Sequence, residues 1–248
     1  MRRYIVLQLG CVAASLCAQP ANSKSSPDIQ AFHAYALAEL GRHGDAAAAF
    51  ERIHGPEEDG SALGLERSAY ERALQYTQDC AKDKSCMAED FLAIGKYPEA
   101  LSWQKQQINS IRDEQKTNLR KGDTTDGTGI TMQAGDEIDS TGGKSVALAD
   151  AYDLQARIEA AMGQLAPALR DLDSAFKTLP ANPKTVPRQA GYAYHRALIL
   201  AEDRQFANAA KACRESLSLD GSDTTLGERR QSQCTAIEAM ASASAPVR

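Results

Sequence analysis

One spacing recurs four times along this chain and restricts what it can fold into. Ala34, Gly41, His43, Ala46 and Phe50 form the first set, and Ala88, Gly95, Tyr97, Ala100 and Gln104 the second. Ala156, Gly163, Leu165, Ala168 and Leu172 form the third, and Ala197, Arg204, Phe206, Ala209 and Cys213 the fourth. In every set seven residues lead from the first alanine to a turn, two to a bulky residue, three to a second alanine and four to a packing position. Such a register predicts pairs of amphipathic helices joined by a tight turn. Glycine at the turn accepts positive φ without a Cβ clash. Alanines let the two axes cross within the usual ~8–10 Å. Pro98 falls in the first turn of its second helix, where a missing N–H does no harm, while Pro56 and Pro180 end their units. The expected fold class is all-α.

The units are unevenly spaced. The interval between the first two turns holds an extra helix over 61–78, with Ala62, Leu65, Ala69, Ala73 and Leu74 on one side. The next begins with a long helix from Pro98 to about Leu119. It continues into Lys121–Ser145, whose six glycines, five threonines and four aspartates predict a loop or linker. N-terminal helices are therefore expected over 28–120 and C-terminal ones over 146–240. The last helix, 225–240, is polar enough to cap a stack. Residues 19–27 and 241–248 are expected to be a flexible lead and tail.

Ala-x6-Gly-x-bulky-x2-Ala resembles the core of the tetratricopeptide repeat (TPR), a 34-residue helix–turn–helix unit. Residues 149–180 match best. Residues 190–221 match apart from Arg204 at the turn, and 27–55 and 81–112 match with His43 and Gln104 in place of aromatics. The resemblance implies helix–turn–helix repeats stacked into a right-handed superhelix, whose first helices line a concave groove for a protein or peptide. In that register the groove residues are Tyr35, Glu39, Glu89, Asp153, Arg157, Tyr194 and Glu202. The Lys and Asn with which one subclass grips a terminal carboxylate are replaced here by acids or small residues.

Met1-Arg2-Arg3, the apolar run from Tyr4 to Cys17, and Ala18 together form a secretory signal pattern over residues 1–18. The run is too short to span ~30 Å of hydrocarbon comfortably. Export, to a periplasm or outside the cell, is the expected localisation. Cleavage would remove two arginines and no acid, so the remainder is two units more negative than the full chain's −5. No basic excess exists for nucleic acid. Cys80, Cys86, Cys213 and Cys234 would remain, an even number that in an exported chain indicates disulfides. Of three possible pairings, Cys80–Cys86 with Cys213–Cys234 is the most local. The tight Cys-x-x-Cys pairs that zinc prefers do not occur.

Other chemistry is incomplete. Gly142-Gly143-Lys144-Ser145 ends like a phosphate loop, but Ile138 stands where its first glycine belongs. Asp123, Asp126, Asp136 and Asp139 lack the alternate-residue spacing of a calcium loop. Ser102 and Lys105 have acyl-enzyme spacing without the companion motifs. His33, His43, His54 and His195 form no i, i+4 pair for a metal. The expectation is a non-enzymatic scaffold without metal or cofactor that binds a protein or peptide. Its rivals are a structural subunit of a cell-envelope complex and a helical-repeat enzyme.

Overall fold

The computed structural model describes residues 27–54, 62–83, 87–122, 134–219 and 225–244. These form ten α-helices and no strand. They are α1 (Pro27–Glu39), α2 (His43–His54), α3 (Ala62–Asp83), α4 (Ala88–Ala93), α5 (Tyr97–Gly122), α6 (Ala134–Ala161), α7 (Leu165–Thr178), α8 (Val186–Glu202), α9 (Phe206–Leu219) and α10 (Thr225–Ala243). A short 3-10 turn, Pro183–Thr185, leads into α8.

The four repeated sets become four turns with one geometry. Gly41, Gly95, Gly163 and Arg204 take φ of 79°, 77°, 73° and 61°. Around the first, Gly41 N–H donates to Ala38 O and Arg42 N–H to Leu37 O, both at 2.9 Å. The same two bonds close the other three turns, from Gly95 and Lys96, Gly163 and Gln164, and Arg204 and Gln205. This double closure satisfies carbonyls that a helix end otherwise leaves open. Ala46, Ala100, Ala168 and Ala209 each donate N–H to the carbonyl four residues back, which starts the second helix. Arg204 holds this left-handed conformation despite its Cβ, at a cost of roughly 1–2 kcal/mol.

Packing follows the same register. All eight motif alanines are 3% exposed or less. Phe50, Gln104, Leu172 and Cys213, at the last motif position, are 1% exposed or less. Gln104 is tolerated in this dry position because its Nε2 donates to Ala151 O at 2.6 Å, tying α5 to α6.

Each helix packs on its neighbour in the chain, and α10 returns to touch α1. The largest apolar cluster spans α6 to α10 and takes in Ala36 of α1, Leu40 just after it and Ile108 of α5. Smaller clusters join α1, α2 and α3 through Ala34, Leu37, Phe50 and Leu63, and α4, α5 and α6 through Phe91, Leu92 and Ile158. Cys213 and Cys234 are bonded, with Cα atoms 5.5 Å apart, and link α9 to α10. Cys80 is also disulfide-bonded, and Cys86 lies outside the described residues.

Two expected boundaries move. The stretch 121–145 is not a loop throughout, because α6 begins at Ala134. It contains no proline, and glycines cost a helix only about 1 kcal/mol each, so the backbone ladder can run through them. At the C-terminus α10 runs to Ala243, into the expected tail. The signal segment 1–18 and the lead up to residue 26 lie outside the described residues. No described helix is long and apolar enough to cross a membrane.

Candidate partner-binding site

The seven residues expected to line a groove fall at recurrent offsets from the first motif alanine. Tyr35, Glu89 and Arg157 follow it directly. Glu39 and Glu202 lie five residues after it. Asp153 and Tyr194 lie three before it. The structure brings these helix faces together but does not leave all of them open.

Asp153 and Tyr194 are buried, 4% and 1% exposed. Tyr194 donates its hydroxyl to Gln233 Oε1 of α10 at 2.6 Å, and Arg230 of α10 stacks over its ring. Asp153 accepts from His195 Nδ1 at 2.8 Å and pairs with Arg157 at 3.2 Å. Burial alone would raise its pKa. The charges and hydrogen bonds of His195 and Arg157 outweigh that and hold the carboxyl below its usual range. Both residues therefore hold the molecule together instead of facing a partner, which corrects their expected role.

Glu202 is also engaged internally. Arg42, next to the first turn glycine, donates to Glu202 at 2.9 Å and to Asp45 at 2.6 Å, and stacks over Tyr97. Tyr97 in turn donates to Asp45. One guanidinium thus joins the turns of the first, second and fourth units. Burial raises the Glu202 pKa, and Arg42 opposes that rise. Glu39 pairs with Arg229 of α10 at 2.9 Å. Tyr35 sits at the rim, 37% exposed, its ring edge-on to Phe50.

What stays open is a cleft of about 470 Å³ between the end of α1, α3, α4 and α6. Glu39, Glu89 and Arg157 line it, so three of the seven expected residues meet in one place. Arg157 packs so closely on the first turn that a Cβ on Gly41 would lie 3.1 Å from its Nη1. Its other terminal nitrogen is 4.0 Å from Glu89, whose side chain is 66% exposed. Asp90 lies in the first turn of α4 beside Glu89, and its pKa is raised by partial burial and by the Glu89 charge.

No family model matches the chain, and no curated protein or solved structure matches it. The chemistry of the cleft comes from its own side chains. Its lining contains no Ser, Thr, Cys or Lys, and its one histidine, His43, bonds to Glu66 at 2.6 Å. Among the described residues no group of three His, Cys, Asp or Glu is placed to hold a metal.

The α3 wall of the cleft was not identified from sequence. Ala69, Arg72, Ala73 and Tyr76 line it, and Leu65, eleven residues before Tyr76, continues the stripe for three turns. Tyr76 is 64% and Leu65 66% exposed. The periodic apolar pattern of the extra helix was the available signal. It carries more apolar faces than its neighbours cover.

Proposed function

We propose that this protein is a TPR-like interaction scaffold of an exported compartment, with its units stacked as in a right-handed superhelix. It holds a protein or peptide partner in the cleft between α1, α3, α4 and α6 and performs no covalent chemistry. The open cleft carries this reading. It joins charged side chains on rigid helices to an exposed tyrosine, a residue that gives large contact area at low entropy cost. The repeated turns and buried alanines support the repeat assignment, and the Cys213–Cys234 bond supports an oxidising compartment. The contact surface differs from the full row of seven residues, because Asp153, Tyr194 and Glu202 are consumed by internal pairs.

A photoreactive phenylalanine analogue placed at Tyr76, in cells that make the protein, should yield a discrete cross-linked adduct. The same analogue at exposed Ser218 of α9 should not. Equal labelling at both positions, or none at Tyr76, would remove the cleft as the binding surface.

A further inference from the structure

The charges around the cleft show what kind of segment fits it. Two of its charged groups and its histidine already have partners. Arg157 pairs with buried Asp153 at 3.2 Å, Glu39 with Arg229 at 2.9 Å, and His43 with Glu66 at 2.6 Å. The α4 wall then presents two adjacent carboxylates, Glu89 and Asp90. Glu89 reaches only Arg157, at 4.0 Å, and that arginine is held more closely by Asp153. Asp90 feels the repulsion of Glu89. Opposite them, α3 presents exposed Leu65 and Tyr76, with half-buried Ala69, buried Ala73 and the exposed Arg72 between them, and the floor includes buried Leu92.

We infer that the cleft takes a cationic amphipathic segment, its apolar side chains laid along the α3 stripe between Leu65 and Tyr76 and a lysine or arginine set against Glu89 and Asp90. This rests on the cleft being the partner site and adds the partner's chemistry. An ammonium or guanidinium there meets two carboxylates whose neighbouring cation, Arg157, lies 4.0 Å from Glu89 and is held more closely by Asp153. An acidic segment would add a third negative charge to that wall. Three turns of helix, about 16 Å, match an apolar row at i, i+4, i+7 and i+11 on a partner helix. The whole chain's net charge of −5 favours encounter with the same kind of partner.

The probe is a labelled, capped peptide of about 15 residues, long enough to form helix, with leucines in that row and lysines along one flank. Its control carries glutamate at every lysine position. Fluorescence anisotropy against the full chain reads binding. The lysine peptide should bind at least tenfold more tightly than the glutamate peptide, and added salt should narrow the gap. Glu89→Lys, at an exposed position, should reverse the preference, and Tyr76→Ala should weaken the lysine peptide tenfold. Equal affinity for the two peptides, with Tyr76→Ala still weakening both, would overturn the cationic inference and leave the cleft as the site. Preference for the glutamate peptide would likewise overturn it and point to Arg72 and Arg157 as the gripping groups. Binding of neither peptide would reject the inference outright. Binding indifferent to both substitutions would reject it together with the cleft.

Discussion

The C-terminal half, α6 to α10, and the N-terminal half, α1 to α4, carry the same turn and the same alanines but end differently. The C-terminal helices bury their inner faces in one large cluster, crossed by a disulfide and by the Tyr194–Gln233 bond. The N-terminal helices form small clusters. The large hydrophobic side chains left exposed among the described residues, Tyr35, Leu65, Tyr76 and Met87, all lie there. A repeated local rule therefore builds the pairs, and what lies across from each pair decides whether its face becomes core or surface.

Four experiments test that contrast. The largest effect should come from the two tyrosines compared directly. Tyr194→Ala removes a buried ring and strands Gln233, and should cost about 3–5 kcal/mol in denaturant unfolding. Tyr76→Ala, on the exposed stripe, should stay within about 0.5 kcal/mol. Similar losses would erase the distinction between the halves. Next is the bridge. Replacing Cys213 and Cys234 by alanine together should cost roughly 3 kcal/mol for a loop of this length, visible as a lower Tm. An unchanged Tm would mean that α10 is held without it.

A smaller loss, about 1–3 kcal/mol, is expected from Ala168→Leu, which overfills a crossing where the alanine is fully buried. An unaltered unfolding midpoint would show the crossing to be looser than its register implies. The smallest effect has the opposite sign. Arg204→Gly relieves a left-handed Cβ and should stabilise by about 1 kcal/mol or less, because glycine's own entropy offsets part of the gain. Gly163→Ala, at the equivalent turn, should destabilise, and the same sign for both would contradict a shared turn geometry.

The sequence made the turns legible because they are local. The offsets from alanine to glycine to alanine contain everything needed for the hydrogen bonds found at Gly41, Gly95, Gly163 and Arg204. The fate of the inner faces was not legible. Tyr194 has the chemistry of a contact residue, yet Gln233 covers it from a helix later in the chain. Asp153 reads as a solvated acid until His195, from another unit, is placed beside it. Nothing near Arg42 in sequence announces Glu202, 160 residues away. Tyr76 carries no mark in the register, because its helix falls outside the repeated sets. Of the seven expected residues, Glu39, Glu89 and Arg157 do share one opening, while Tyr35 and Glu202, at the same offsets in other units, do not line it.

The contact between α1 and α10 also sets an order of assembly. Glu39 and Arg229 are 190 residues apart, so their pair cannot form until α10 has been made. The four turns close within a few residues and are available early. Synthesis proceeds from the N-terminus, so α1 can pair with α2 at once through Ala34 and Leu37. Its other apolar residues, Ala36 and Leu40, must wait for helices of the C-terminal half before they are covered. During that interval a later helix completes an earlier one, and the apolar side of α1 is open to a wrong contact.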